Sequence, residues 1–318
     1  LPSPVFSMRS FLVRAAIAAS FLVFFAGCDQ QPAGSRVAAI PATTGTPDAA
    51  IRRSADLLKQ GDIAGLMQNS MPPAEFERTK AEWSRDANAK PITEEDRRKF
   101  AETMSRLTAP NAEQTLYAEI EPQLKQFDAQ YQQQIPMYVA MGQGWLTGMV
   151  QQNKDLSDAD KQQAVAAINA LAAWVQKTRF TDAESVKKVL AITTKTARDL
   201  NLKSLDEARA LTFDQSMQKA RVALGGFKEA LAVYGFSVDK TLDSVKPEVL
   251  SSDGKTASVK VSYTLLDTPL TATTQMVNVD GRWYGKDTIE KLKEQQQHDA
   301  APDKAVPAEA PPASPDKT

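Results

Sequence analysis

Residues suited to chemistry are scarce in this chain of 318 amino acids. Cys28 is the only cysteine and His298 the only histidine. Ser-His-Asp and Cys-His catalysis need a histidine beside the nucleophile, whereas His298 lies where the sequence turns polar and rich in proline. Zinc sites need several His or Cys ligands. The sequence therefore predicts neither these kinds of catalysis nor a metal site, and no motif in it predicts another cofactor.

Carboxylates are the remaining candidates for acid–base chemistry. Glu94, Glu95 and Asp96 form an acidic cluster, but the helix dipole favours acids in the first turn of any helix. Glu119 and Glu121 are two residues apart, so a helix points them to different faces. A hydrolase of wall glycans, the alternative that this inventory leaves open, would need two carboxylates roughly 5–10 Å apart in a cleft. We therefore expect a protein that is not an enzyme.

The segment Met8–Gly27 has the three parts of a secretory signal peptide. Arg9 and Arg14 supply the positive start, Ala15–Phe25 the apolar core, and Ala26-Gly27 the small residues of a cleavage site. The apolar core is too short to span a bilayer, which needs about 20 such residues. The sequence therefore predicts that residues 1–27 are removed and that Cys28 becomes the first residue of the mature chain.

The end of this signal, Phe25-Ala26-Gly27-Cys28, resembles the lipobox of bacterial lipoproteins, although Phe25 stands where that family usually has leucine. The resemblance implies cleavage between Gly27 and Cys28 and a lipid anchor on the Cys28 thiol, in a protein of the bacterial cell envelope that faces the periplasm. In some of these bacteria Asp29 would favour retention in the inner membrane. Two or more acyl chains anchor a protein stably. The alternative is a secreted protein with a free cysteine.

Charge and composition divide the rest of the chain. Without residues 1–27 the chain has 36 basic and 39 acidic residues, a net charge of −3, which argues against nucleic acid as a partner. Residues 28–47 are rich in Pro, Gly, Ala and Thr and predict a flexible tether behind the acylated cysteine. Residues 298–318 are rich in Pro and Ala and predict a disordered tail.

Between these ends, residues 48–236 follow helical spacing and residues 237–297 follow strand spacing. Helix N-caps are predicted at Asp48, Thr93, Ser157, Thr181 and Ser204, and their short intervals indicate antiparallel helices with tight connections. Two prolines, at positions 122 and 136, should kink or restart the helix that contains them. The prediction here is a helical bundle.

The later part of the chain changes to an alternation of apolar and polar residues. Ala257, Val259, Val261, Tyr263 and Leu265 alternate with polar residues, as in a strand with one wet face. The pairs Asp253-Gly254 and Asp280-Gly281 predict turns on either side. We therefore expect an α+β fold, mostly α: an antiparallel helical bundle, then a three- to four-stranded antiparallel sheet packed on the first helices, then a short helix over Asp287–Gln297.

Two segments carry a second resemblance. Met276–Tyr284, a strand followed by an Asp-Gly turn and a Gly-x-Trp strand, resembles the last strands of cystatin-like and nuclear-transport-factor-like lipoprotein domains. Leu57–Ile63 resembles the first-helix motif of the same group. The resemblance implies a curved sheet whose concave side holds a ligand or a partner, often without catalysis. Trp283 and Tyr284 would line such a pocket, or would simply cover one face of the sheet.

The segment Ile135–Val150 (IPMYVAMGQGWLTGMV) is the most unusual of the mature chain. Met141, Gly144, Trp145 and Gly148 are its candidate interaction residues, because Gly144-x-x-x-Gly148 would allow another helix to approach closely. Glycine costs about 1 kcal/mol relative to alanine inside a helix, so three glycines here need a reason. The alternatives are a tightly packed central helix or hairpin, an exposed apolar patch that contacts a membrane or a partner, and a phosphate-binding loop.

These observations lead to two hypotheses of different classes. The first is a membrane-anchored lipoprotein of the cell envelope that acts as a non-enzymatic binding or scaffolding module, with an envelope protein as its partner. The second is a carrier or sensor of a small apolar ligand held between the helices and the sheet. A cavity between those two parts would favour the second hypothesis, and a large apolar patch on the surface would favour the first.

Overall fold

The computed structural model describes residues 45–87, 91–154 and 156–300. In order along the chain its helices are α1 (Pro47–Gln60), α2 (Ile63–Ser70), α3 (Pro73–Ala87), α4 (Glu94–Thr108), α5 (Ala112–Gln152), α6 (Asp158–Lys177), α7 (Ala183–Leu200), α8 (Leu205–Ala210), α9 (Phe213–Val233), α10 (Val238–Asp243) and α11 (Lys286–Ala300). The strands, which lie between α10 and α11, are β1 (Lys246–Ser252), β2 (Thr256–Leu265), β3 (Thr268–Val279) and β4 (Arg282–Gly285).

The architecture is an α+β fold, mostly α, which confirms the predicted fold class. Helices precede a single four-stranded sheet of order β1-β2-β3-β4, in which all neighbouring strands are antiparallel. The first hairpin turns at Asp253, whose carboxylate accepts hydrogen bonds from the backbone N–H groups of Lys255 and Thr256. At the last hairpin, Asp280 and Gly281 both have positive φ, as the Asp-Gly turn requires.

One face of the sheet forms the main core. The predicted alternation along β2 is confirmed, because Ala257, Val259, Val261 and Leu265 are buried. Helix α1 contributes Ala55 to this core, and α6 adds half-buried side chains such as Leu171 and Trp174. The opposite face of β2 carries polar residues that include Ser258, Lys260 and Ser262. Over most of its width, the sheet is therefore covered by helices on one face only.

A second, smaller core covers the other face at the β4 end. Its buried members come from α3, α9, β4 and α11 and from the residue that follows α2: Met71, Phe76, Phe213, Tyr284, Ile289 and Leu292. Phe76 meets the ring of Phe213 edge-on, with ring centroids 5.7 Å apart, a geometry that aromatic pairs prefer. The C-terminal helix is thus held to the body by burial of its apolar residues.

Three predicted N-caps are confirmed, at Thr93, Ser157 and Ser204, and the last accepts a hydrogen bond from the backbone N–H of Glu207. Thr93 and Asp96 form a capping box, in which each side chain accepts a hydrogen bond from the backbone N–H of the other. Ser157 accepts a hydrogen bond from the backbone N–H of Asp160 and begins α6. Side-chain oxygens here satisfy donors that the first helical turn leaves unpaired.

Two of the predicted helix starts need correction, and the helix that begins after Ser204 is short. Helix α1 begins at Pro47 with Thr46 as its N-cap, so Asp48 lies inside the first turn. Helix α7 is capped by Asp182, not Thr181, because the Thr181 hydroxyl donates instead to the carboxylate of Asp128 on α5. Ser204 caps only the six-residue helix α8, and the long helix that follows starts afresh at a capping box of Thr212 and Gln215.

Helix α5 is 41 residues long and contains both Pro122 and Pro136. Neither proline ends it, so the helix does not restart there, and the alternative of a kink stays a prediction. A proline inside a helix removes one backbone hydrogen bond, and here α5 contacts α7, the loop between α6 and α7, and α6 at points on both sides of each proline. Within the described residues no helix has the combined length and apolarity that crossing a membrane requires.

Strand β1 is one edge of the sheet and has features that interrupt its pairing. Its pairing with β2 shifts register between Val249 and Ser251, which marks a bulge. Pro247 has no N–H to offer to a further strand, and its carbonyl accepts a hydrogen bond of 3.4 Å from Arg52 on α1. Edges built in this way resist pairing with another chain.

Candidate interaction surface

Several predicted residues lie outside the described residues. Gly27 and Cys28, the predicted cleavage and lipidation site, precede residue 45, so the anchor stays a prediction. The side chain of His298 is likewise outside the described set. The geometry of the remaining candidates centres on helix α5, which carries the segment Ile135–Val150.

The first attachment of α5 to the body is at its N-terminal end. Glu113 accepts a hydrogen bond of 2.6 Å from the hydroxyl of Thr194 on α7, and Thr194 is completely buried. The same carboxylate pairs with the guanidinium of Arg198 at 2.9 Å. Hydrogen bonds from Arg198 and Thr194 lower the pKa of Glu113 to about 2. The carboxylate is therefore ionised at neutral pH and cannot serve as a general acid.

A second attachment follows fifteen residues later, and a third after fifteen more. Asp128 accepts hydrogen bonds from Arg179 and from Thr181, both in the loop between α6 and α7. These bonds lower the pKa of Asp128 to about 2, and the bond from Arg179 has the largest effect. Gln143 donates to the side-chain carbonyl of Asn169 on α6 at 2.7 Å. One side of α5 is thus fixed to the bundle by polar contacts along most of its length.

The other side of α5 is apolar and exposed. The exposed fractions are 59% for Met137, 52% for Tyr138, 64% for Met141, 66% for Trp145 and 49% for Met149. Between Asp128 and Lys154 the sequence has no charged residue. We call Met137, Tyr138, Met141, Gly144, Trp145, Gly148 and Met149 the α5 apolar face. The exposure of this face excludes the tightly packed helix. The continuity of α5 through this segment excludes the phosphate-binding loop.

The described part of the chain gives no packing reason for the glycines of this face. A Cβ atom built on Gly144 or Gly148 would meet nothing within 4 Å. Gly226 on α9 is a contrast, because a Cβ there would lie 2.1 Å from the hydroxyl oxygen of Thr196 on α7. Gly226 therefore allows two helices of the same chain to approach closely, whereas nothing described in the chain approaches Gly144 and Gly148.

Trp283 and Tyr284 are adjacent on β4 and consequently point to opposite faces of the sheet. Trp283 is buried in the main core and Tyr284 in the smaller core. The two rings therefore do not line one pocket together. Each ring covers one face of the sheet, which agrees with the interpretation that these aromatic residues cover the sheet and do not line a pocket.

Two open grooves lie on the helical part. One, of about 310 Å³, is lined in part by Pro136, Lys177 and Arg179. The other, of about 440 Å³, lies between α4 and α7 and includes Met104 and Arg198. Neither lies between the helices and the sheet. In the described part of the chain no three His, Cys, Asp or Glu side chains group to hold a metal ion.

Sequence reasoning identified Met141, Gly144, Trp145 and Gly148 but did not include Tyr138 in the candidate surface or find the attachments at Glu113 and Asp128. The four-residue spacing of the large side chains was the available signal for the surface. In comparisons with protein-family models, with curated proteins and with solved structures, nothing matches this chain.

Proposed function

We propose that this protein is a lipid-anchored lipoprotein of the bacterial cell envelope and that its folded part is a non-enzymatic binding or scaffolding module. The α5 apolar face is its contact surface. The observation that carries this proposal is the exposure of five large apolar side chains on one uncharged helix face. Contiguous apolar patches of several hundred Å² on a monomer are typical of interaction sites.

The anchor is supported by the lipobox-like sequence that ends at Cys28. A cysteine without a partner is a liability in an oxidising compartment, and acylation of its thiol would remove that liability. An anchored chain would hold the α5 apolar face close to a membrane and to other envelope proteins.

A role without catalysis is supported by two carboxyl groups whose pKa values are lowered, so that both are ionised. Glu113 and Asp128, whose pKa values are lowered to about 2, are each held by an arginine and a threonine hydroxyl. A general acid needs a carboxyl pKa raised towards the working pH, which is the opposite shift. Both residues thus serve as attachment points between helices.

Metabolic labelling with a palmitate analogue tests the anchor. The full chain should incorporate the label in a bacterial host, and Cys28→Ala should abolish it. Wild-type chain without label, or a Cys28→Ala variant with undiminished label, would contradict the anchor.

Photo-crosslinking in intact envelopes tests the contact surface. A benzoylphenylalanine placed at Trp145 should give a discrete crosslinked product, and one placed at the exposed edge residue Ser251 should not. The module hypothesis predicts loss of this product when Met141 is replaced by lysine. A probe at position 145 that reacts no more than the probe at position 251 would refute the contact surface, whatever the labelling experiment gives.

A further inference from the structure

The α5 apolar face consists of a ridge beside a groove. Four large side chains follow one another at intervals of four residues and form the ridge: Met137, Met141, Trp145 and Met149. Ala140, Gly144 and Gly148 occupy the neighbouring row with the same interval. Rows with this spacing are the ridges that pack into grooves when two helices cross. A row without large side chains is such a groove.

We infer that the occupant of this face is a second copy of the same chain, with α5 packed against α5 about a two-fold axis. In a two-fold interface the same patch contacts itself, so the patch must be complementary to itself. The ridge of one copy fits the groove of the other, and the reverse contact is identical by symmetry. Packing of this class crosses helices at about −50°. The inference rests on the proposed contact surface and is independent of the lipid anchor.

The charge distribution favours a second copy over a bilayer. Residues 129–153 have no charge, so pairing of two such helices leaves no ionised group without water. Helices that lie on a membrane surface combine an apolar face with lysine and arginine that attract anionic lipids. Here Asp128 lies at one end, and Lys154 at the other end is followed by Asp155 and Asp158.

The area is also appropriate. Five large side chains that are roughly half exposed, at roughly 200 Å² each, present roughly 600 Å² of apolar surface per copy. A specific interface buries about 800 Å² per partner, and weak ones bury less. The flanking small residues and Leu146, itself 40% exposed, extend the contact. A dimer of modest affinity is therefore expected.

Disulfide crosslinking of the full chain in intact envelopes is the test. Met141→Cys places a thiol at the centre of the ridge, where the two copies would meet. Mild oxidation should give a product of twice the chain mass on a non-reducing gel. The wild-type chain, whose only thiol is Cys28, and Ser251→Cys, on the exposed edge strand, are the controls and should give at least tenfold less.

A second substitution separates the protomer from the dimer. Gly144→Leu should leave the melting temperature of the protein unchanged or higher, because leucine is a better helix former than glycine and a Cβ there meets nothing. Combined with Met141→Cys it should reduce the crosslink at least tenfold, because the groove is filled. Gly148→Leu repeats the experiment one turn further along.

Three outcomes would overturn the second copy as occupant. They are an equal yield of dimer from Met141→Cys and Ser251→Cys, a crosslinked product of a mass other than twice the chain, and a yield unaffected by both leucine substitutions. A product of another mass would leave the contact surface in place and assign it to a different protein. Loss of palmitate labelling would affect the anchor alone.

Discussion

Asp128 and Arg179 form a bidentate ion pair that joins the middle of helix α5 to the loop between α6 and α7. The Nε and Nη2 groups of Arg179 donate to the two carboxylate oxygens of Asp128 at 3.1 and 2.5 Å. The Thr181 hydroxyl donates to the same carboxylate. Paired N–H···O bonds of this kind fix orientation as well as distance. This contact fixes the middle of α5 against the loop between α6 and α7.

Asp128→Asn should therefore loosen the middle of α5. The amide keeps the shape of the carboxylate but cannot accept two charge-assisted bonds from Arg179. We expect a small decrease in melting temperature, because the ion pair is partly exposed to water, and faster amide hydrogen exchange near residue 128. Lys125→Gln removes an exposed pair with Glu121 on the same helix and is the control. Equal exchange rates in both variants would contradict the assigned role.

Acid should destabilise the protein over a definite pH range. Glu113 and Asp128 have pKa values of about 2 in the folded protein, below their ordinary values of 4.5 and 3.8. A lowered pKa stabilises the folded state above the unfolded pKa, and this contribution disappears as pH falls through the folded pKa. The urea midpoint should thus decrease between about pH 4.5 and pH 2. The decrease should be shallower for Asp128→Asn than for the wild type.

The adjacent glycines of α9 should respond in opposite ways to alanine. A Cβ on Gly226 would lie 2.1 Å from the Thr196 hydroxyl and 3.0 Å from its Cβ, so Gly226→Ala should cost about 1–3 kcal/mol through overpacking. A Cβ on Gly225 meets nothing within 4 Å, so Gly225→Ala should stabilise the protein by up to about 1 kcal/mol. Urea unfolding measures both. The same sign for the two variants would refute the close approach of α7 and α9.

Thr194→Val should destabilise the protein more than the same change one residue earlier. The buried Thr194 hydroxyl donates to Glu113, and removal of a buried hydrogen-bonding partner costs about 1–3 kcal/mol. The hydroxyl of Thr193 is exposed and bonds only within its own helix, to the carbonyl of Val189 at 2.8 Å, so Thr193→Val should stay within about 0.5 kcal/mol of the wild type. The free energy of unfolding in urea is the measurement.

Methionine oxidation should report the α5 apolar face directly. Met137, Met141 and Met149 are exposed, whereas Met71 and Met276 are buried. In dilute purified protein, where a dimer of modest affinity dissociates, mild peroxide should convert the first three to sulfoxide at least tenfold faster than the buried pair, because oxidation follows accessibility. Peptide mass spectrometry over time gives the rates. Comparable rates for Met141 and Met276 in dilute protein would show that the face is covered within a single copy.

Local sequence patterns predicted much of the fold. The alternation through Val259 and Val261 located the covered face of β2, and the Asp-Gly turns located two hairpins, because these patterns depend on neighbouring residues alone. The capping box at Thr93 followed from the same kind of local chemistry. Thr181 was misjudged, because its hydroxyl is used by Asp128, a residue fifty-three positions away in the sequence.

The candidate surface was only partly accessible from sequence. Helical spacing shows that Met141 and Trp145 share a face, but the same spacing describes a buried stripe equally well. Whether a stripe is covered depends on which helices pack nearby, and α6 and α7 pack on the other side of α5. The continuity of α5 through Pro136 was inaccessible for the same reason, since tertiary contacts outweigh the local effect of a proline.

The proline, the bulge and the arginine contact at strand β1 have a consequence for how the chain behaves when crowded. A sheet with an open border can grow without limit by adding strands from further molecules, and the result is a fibril. Here the edge strand β1 has no N–H at Pro247, the carbonyl of Pro247 already accepts a hydrogen bond from Arg52, and the pairing is irregular beyond Val249. High local density should therefore yield finite assemblies of intact molecules and not endless stacks of strands.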